Sequence, residues 1–253
     1  MLSRIAISIV TLALLIGCSA FSGDSDPTKG WSAAKLYAEA KDALDSGDYQ
    51  KAIDMFETLE ARYPFGRYAK QAQLDAAYAY YKFEEPDSAI AAAERFIKLH
   101  PKSPHVDYAY YLKGLANFDR GKTIISKVVP RDPSERDPTP MLRAFEDFSV
   151  IVKRYPDSRY ADDARRRMVY LRNKLAQYEL NVADYYMRRG AYVAAINRAT
   201  YVLENYQGAQ AIPQALKTLV RAYRKLGLND LARDALRVLR ANYPKEAAEL
   251  SKS

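Results

Sequence analysis

Few side chains in these 253 residues could do covalent or metal chemistry. There is one cysteine, Cys18, and there are two histidines, His100 and His105. One thiol cannot build a disulfide framework. Two histidines without a Cys/His cluster do not give metal-ligand spacing. No glycine-rich phosphate loop and no Ser/His/Asp set can be assembled, so the sequence predicts a binding protein and not an enzyme. Binding chemistry is plentiful. The chain has 21 tyrosines but one tryptophan, Trp31. Tyrosine offers a rigid apolar ring with a polar tip, a combination favoured on recognition surfaces. Tyr63-Pro64-Phe65-Gly66 places two aromatics beside a proline and a glycine. Such a link suits either packing beneath a turn, which is the default, or a shallow recognition pocket.

The elements that position these residues derive from one repeated phrase: a turn residue, an alanine five positions later, and a closing aromatic or His sixteen positions after the turn. It occurs at Gly47, Ala52 and Tyr63-Pro64; at Glu84, Ala89 and His100-Pro101; and at Thr139, Ala144 and Tyr155-Pro156. It returns at Gly190, Ala195 and Tyr206-Gln207, and at Gly227, Ala232 and Tyr243-Pro244. Copies one and two are 37 apart, as are four and five; the two gaps between exceed that period by 18 and 14. Fixed-period similarity marks a helical repeat array. Leu36, Ala40, Ala43 and Leu44 recur at helical spacing before the first turn, and Ile53, Phe56 and Leu59 after it. The alanine lets two antiparallel helices approach closely, and the proline ends the unit. His100 fills the slot held by tyrosine elsewhere, which points to a structural role. Ala40, Gly47, Tyr49, Ala52, Phe56 and Pro64 fall where the tetratricopeptide repeat, which the phrase resembles, has its signature residues. The expected fold is therefore all-α, an α-solenoid of five tetratricopeptide-like helical hairpins.

The two long gaps have different compositions. Gly121 to Pro140 holds Pro130, Pro133, Pro138 and Pro140, which forbid a regular helix. It reads as a Pro-rich insertion in the third repeat. Ile124, Ile125, Val128 and Val129 are too apolar to be freely solvated, so the insertion should lie against the array. Asp157 to Arg189 holds no proline or glycine and predicts one long connecting helix, from about Ala161 to Arg189. The expected layout is 31–156 for repeats one to three, with the insertion at 121–140, and 157–253 for the connecting helix and repeats four and five. Lys245 to Ser253 is polar and reads as a frayed tail.

Ahead of the array, Arg4 precedes a 12-residue apolar run, Ile5 to Ile16, too short for an ordinary membrane span. Leu15-Ile16-Gly17-Cys18 comes next. It resembles the bacterial lipobox, in which the cysteine becomes the acylated first residue of the mature chain; the other reading is a buried thiol. The resemblance implies a signal peptide over 1–17 that is removed, and a covalent diacylglycerol plus N-acyl lipid on Cys18. Ser19 after the cysteine implies the outer membrane, with the protein on its periplasmic face. Each buried methylene adds about 0.8 kcal/mol, so several chains anchor stably. Residues 18–30, rich in Ser, Asp and Gly, read as a flexible tether. No other cofactor is expected.

Charge is uneven. The chain carries +8 formally, while 32–63 holds seven Asp/Glu against four Lys/Arg and 153–245 holds 19 Lys/Arg against eight Asp/Glu. Part of this is solvated helix surface. A half this basic favours an acidic partner or an anionic surface. No nucleic-acid-binding motif appears, so nucleic acid is not expected as a partner.

Several segments together resemble the BamD family of outer-membrane assembly lipoproteins, called ComL in some bacteria. They are Arg62-Tyr63-Pro64-Phe65-Gly66, Tyr78-Ala79-Tyr80-Tyr81-Lys82, Arg136-Asp137-Pro138, Phe145-Glu146-Asp147-Phe148-Ser149, Ala183-Asp184-Tyr185-Tyr186, Arg189-Gly190-Ala191 and Asn197-Arg198. The resemblance implies a lipid-anchored periplasmic scaffold of the β-barrel assembly (BAM) complex. In that family the protein binds a POTRA domain of the barrel protein BamA, carries BamC, and engages the C-terminal β-signals of unfolded outer-membrane proteins. Arg198 matches the family arginine that pairs with an acidic POTRA residue, with Asn197 and Arg189 beside it in the motif. For substrate the family points to the first repeats, hence to Tyr63, Phe65 and Tyr68 with Arg62 and Arg67. A β-signal ends in an aromatic residue and a carboxylate, to which arginine can make charge-assisted hydrogen bonds. The alternative function is a peptidoglycan-associated or DNA-uptake (competence) lipoprotein, as the ComL name suggests.

Overall fold

The computed structural model describes residues 26–120 and 132–250. Among them are eleven α-helices, one 3-10 turn and no strand. The helices are α1 (Ala33–Ser46), α2 (Tyr49–Arg62), α3 (Ala69–Lys82), α4 (Pro86–Leu99), α5 (Val106–Asp119), α6 (Thr139–Arg154), α7 (Ala161–Arg188), α8 (Tyr192–Asn205), α9 (Ile212–Lys225), α10 (Asn229–Asn242) and α11 (Pro244–Leu250). Each helix packs against its chain neighbour, and α3–α5 and α7–α9 touch across repeats. This is an α-solenoid: α1/α2, α3/α4, α5/α6, α7/α8 and α9/α10 are its hairpins, and α11 covers the last one.

The repeated phrase acts as its chemistry dictates. Ala52, Ala89, Ala144 and Ala195 are wholly buried and Ala232 nearly so. Gly47 has φ +85, and its turn is closed by Asp48 N–H donating to Ala43 O at 2.9 Å. A left-handed residue after the last helical turn is the usual way to reverse out of a helix. The same closure recurs at Glu85 N–H to Tyr80 O, Ala191 N–H to Tyr186 O, and Leu228 N–H to Tyr223 O. At the second turn the left-handed position falls on Glu84, with φ +62, the one non-glycine residue of positive φ among those described. Thr139 departs from the pattern. The third hairpin has no tight turn there, and Thr139 instead starts α6 with Pro140 in its first turn, where a missing N–H costs nothing.

α7, the first helix of the fourth hairpin, joins it to the third. It runs 28 residues, about 42 Å at 1.5 Å per residue, and packs on α6, α8 and α9. A charge network anchored on buried Asp147 ties α4, α5 and α6 together. Lys113 Nζ lies 2.9 Å from Glu94 and 3.2 Å from Asp147, which also accepts from Asn117 at 3.1 Å. At the α5–α6 crossing Gly114 meets the ring of buried Phe148.

Three expectations meet the structure at the chain's margins. The tail is not frayed over its described part: Pro244–Leu250 is helical and buries Ala247 and Leu250 against the last hairpin. Its apolar pair outweighs its charged residues. The insertion lies outside the described residues from 121 to 131, so the expected burial of Ile124, Ile125, Val128 and Val129 falls there. Its remaining part lies against α7, through Asp132 with Lys174 at 2.9 Å and Asn181 donating to Ser134 O at 3.2 Å. Residues 26–30, within the segment expected as tether, fold back on the end of α2. Arg62 donates to Thr28 O at 2.6 Å and pairs with Asp26.

Candidate functional site

The five hairpins close on one backbone conformation. Tyr63, His100, Tyr155, Tyr206 and Tyr243 have φ between −139 and −122 and ψ between 45 and 65. The link after each closing residue is the variable part of the array. His100 is structural, as expected: its ring meets Phe96 edge-on at 5.0 Å and its Nε2 lies 2.9 Å from Gln73.

At the first junction the candidate residues divide. Tyr63 is packed, its hydroxyl donating to Trp31 O at 2.8 Å. Phe65 is fully exposed at 101%, so the default of core packing fails for it. The turn that carries it, closed by Gly66 N–H to Tyr63 O at 3.0 Å, points residue 65 away from both neighbouring helices. Tyr68 begins α3 and stacks on Tyr37 at 5.0 Å. Exposed Arg67 lies over the Tyr68 ring at 4.6 Å and donates to its hydroxyl, with no carboxylate partner among the described residues. Arg62 is different. Its guanidinium is engaged by Asp26 and Thr28 and holds the N-terminal segment in place. The pairing costs Arg62 the freedom to take an external carboxylate, so Arg67 is the available cation here. Spacing could not separate the two arginines, because Asp26 lies 36 residues from Arg62.

First helices of successive repeats are linked by a device that sequence reasoning missed. Tyr37 donates to Asp75 at 2.8 Å, Tyr81 to Asp119 at 2.6 Å, and Tyr111 to Asp163 at 2.7 Å. Burial pushes the Asp75 carboxyl above its usual range, although the bonds from Tyr37 and Gln71 act the other way. The same burial raises the Tyr37 hydroxyl, with Asp75 adding to it. The recurrence of Tyr and Asp 38 residues apart in the first two pairs was the available signal.

In the basic half, Asn197 and Arg198 are exposed on α8. Arg198 donates through Nη1 to Glu179 of α7 at 2.9 Å, and that bond holds its guanidinium firmly charged. The Glu179 side chain is 10% exposed and the Arg198 side chain 44%. One edge of the guanidinium is thus occupied from below, and the rest faces outward. Arg189 caps α7 beside Tyr185, ten residues beyond Glu179 and so about 15 Å along the axis. The three expected residues make two contact points, not one. Exposed Tyr185, Val193 and Tyr201 add apolar area on α7 and α8.

Among the described residues no group of His, Cys, Asp and Glu could hold a metal, and no helix is long and apolar enough to cross a membrane. Cys18 lies outside the described residues. What remains is a helical-repeat protein whose exposed chemistry is aromatic and cationic. Residues 30–239 match the family described as outer membrane lipoprotein, YfiO. The outer membrane protein assembly factor BamD of Neisseria meningitidis serogroup A is 46% identical over 240 residues, covering 93% of this chain and 90% of the relative. That of Vibrio cholerae is 39% identical over 234 residues, covering 92% and 96%. The chain belongs to the BamD family. Among solved structures, the tetratricopeptide-like repeats of a putative kinesin light chain from Podosopora anserina overlap 87% of this chain and 96% of their own at 16% identity, with a TM-score of 0.37, a looser likeness.

Proposed function

We propose that the protein is an outer membrane protein assembly factor that works by binding alone, as a periplasmic scaffold anchored through lipid on Cys18. Two faces divide the task. The basic half, centred on Arg198, docks an acidic patch of a BamA POTRA domain. The first junction receives the C-terminal β-signal of an unfolded outer-membrane protein, with Phe65 and Tyr68 taking the terminal aromatic side chain and Arg67 the carboxylate. BamC belongs among the partners through the same family membership. The observation that carries the reading is Phe65. A phenylalanine wholly in water, two residues from an uncommitted arginine stacked on a tyrosine, has no stabilising role and is the kind of aromatic anchor that interfaces use.

The test is a pull-down of the lipidated full chain from detergent-solubilised envelopes, with three proteins compared: wild type, Arg198→Glu, and Phe65→Ala with Arg67→Glu. Arg198→Glu should release the barrel protein. The junction variant should keep the barrel protein and lose unfolded outer-membrane proteins. A wild type that retains cell-wall fragments or DNA and no barrel protein would overturn the scaffold reading. A junction variant that retains substrate would move the receptor site elsewhere.

A further inference from the structure

The first junction has a counterpart. Tyr63-Pro64-Phe65-Gly66-Arg67-Tyr68-Ala69 and Tyr155-Pro156-Asp157-Ser158-Arg159-Tyr160-Ala161 are identical at five of seven positions. The geometry repeats as well. Gly66 N–H donates to Tyr63 O and Ser158 N–H to Tyr155 O, both at 3.0 Å. Tyr68 and Tyr160 each start a helix with φ near −90. Arg159 lies over the Tyr160 ring at 4.8 Å and donates to its hydroxyl, as Arg67 does to Tyr68. Tyr160 stacks on Tyr111 at 4.6 Å and on Tyr108 at 5.3 Å, as Tyr68 stacks on Tyr37. The second and fourth junctions, His100 to Val106 and Tyr206 to Ile212, carry no such arginine–tyrosine pair.

The third junction adds an open cleft. A cleft of about 400 Å³ lies between it and the start of α5, with Pro104, Val106 and Pro156 on its apolar side and Asp107, Arg154 and Asp157 on its polar side, so a ligand carboxylate must sit at the Arg154 edge, away from the two aspartates. Arg154 is exposed, 5.8 Å from the Tyr155 ring. Neither Arg154 nor Arg159 has a carboxylate partner among the described residues, whereas Arg165, Arg166 and Arg167 just beyond them on α7 are each paired with an aspartate. Asp107 accepts from Ser158 Oγ at 2.6 Å and from Tyr108 N–H at 2.8 Å, and keeps acceptor capacity for a further N–H.

We propose that the third junction is a second docking site for an extended peptide segment, one that offers an apolar side chain to the cleft and a carboxylate to Arg154 and Arg159. The proposal rests on the receptor reading of the first junction, for which it supplies a second place where a chain terminus can dock. The two sites differ in one respect. Asp157 stands where Phe65 does, so the third junction has no protruding ring, and the cleft walls supply the apolar contact instead.

The experiment uses the full chain and a short labelled peptide that ends in an aromatic residue with a free carboxylate, beside the same peptide amidated at its C-terminus. Stoichiometry is read by titration calorimetry and affinity by fluorescence anisotropy. Wild type should bind two peptides per chain. Arg154→Glu with Arg159→Glu should bind one, as should Phe65→Ala with Arg67→Glu, and the combined variant none. Amidation should weaken both sites by roughly tenfold, the worth of one charge-assisted hydrogen bond. Both arginines are exposed, and far-UV circular dichroism checks the fold; should the Glu pair lose helicity, Arg154→Gln with Arg159→Gln carries the same expectation. One peptide per wild-type chain, unaffected by the 154/159 variants, overturns the second site and leaves the first standing. Loss of the only peptide in the 154/159 variant, with no loss in the 65/67 variant, instead removes the receptor role from the first junction and keeps it at the third.

Discussion

Gly114→Ala is a sharp test of the packing that sets the gap between α5 and α6. In an exposed helix interior the change would stabilise by about 1 kcal/mol, because alanine loses less backbone entropy than glycine. Here a Cβ on residue 114 would stand 2.7 Å from Phe148 Cε1 and 2.9 Å from Cδ1. Carbon atoms pack at about 3.5–4.0 Å, so the helices must part by about 1 Å or the ring must turn. The ring has little room. Phe148 is wholly buried, with Tyr111 at 6.0 Å and Phe118 at 6.3 Å between ring centroids. Overpacking of this kind costs about 1–3 kcal/mol. Set against the propensity gain, the net effect should be a loss of about 1 kcal/mol, or about 2–4 °C in Tm for a chain of this size.

Urea unfolding followed by circular dichroism measures that loss, and a double-mutant cycle shows where it comes from. Phe148→Leu removes the ring atoms that the new methyl would meet. In that background Gly114→Ala should cease to destabilise, giving a coupling of about 1 kcal/mol or more between the two positions. A Gly114→Ala protein more stable than wild type, or additive effects of the two changes, would refute the close-approach argument. The variant has a functional readout too, since the start of α5 and the end of α6 wall the cleft at the third junction.

Glu84→Gly should stabilise the protein by about 1 kcal/mol: the left-handed backbone costs a non-glycine residue about 1–2 kcal/mol, and the added freedom of the unfolded chain returns part of that; an unchanged or lower Tm would count against strain at this turn. Asp132 should make stability depend on pH. The bond from Lys174, then that from Ser134 N–H, hold its carboxyl down at about 2. A folded pKa below the unfolded value means a contribution present above about pH 4 and lost as the pH falls towards 2. Asp132→Asn should therefore lower the urea midpoint at pH 6 and match wild type near pH 2; a gap that persists at pH 2 would assign its role to something other than charge. On the proposed docking of a BamA domain at Arg198, Glu179→Gln should strengthen salt-sensitive binding of purified BamA periplasmic domains, because the buried carboxylate would compete with an external acid for Arg198. Weaker binding in that variant would make Glu179 an orienting partner of Arg198 and not a competitor.

How much of this was legible depended on whether a residue's partner lay within its own repeat. The alanine of the repeated phrase reports a contact inside one hairpin. Its five occurrences located every second helix, and the missing proline and glycine between 157 and 189 located α7. Glu84 was legible as a departure from glycine, and the structure adds that the backbone keeps the glycine conformation regardless. The tail was misread for the same reason in reverse. Ala247 and Leu250 gain their burial from α9 and α10, elements outside their own segment. Arg62 and Arg67 look alike in sequence, five residues apart around one turn, and only the return of residues 26–31 to the end of α2 commits the first and frees the second.

That distinction bears on what a repeat array can keep for recognition. Each buried alanine is held by packing inside its hairpin and each Tyr–Asp link by the neighbouring repeat, so their positions are fixed and cannot drift towards a ligand. The junction loops escape this constraint, because the closing residue alone must hold its conformation and the next three or four are free to differ. The free positions hold Phe65 and Arg67 at the first junction and Asp157 and Arg159 at the third, while the second offers Lys102 and Ser103 and the fourth Gln207 and Gln210. Only the first and third combine an arginine with a tyrosine locked by stacking on the preceding repeat. A cation laid on a fixed ring loses little further freedom on binding, so its hydrogen bonds to a carboxylate are less offset by ordering. Stability and recognition thus sit on different residues of the same phrase, and variants of Arg67, Arg154 or Arg159 should change binding while leaving the unfolding transition near that of wild type.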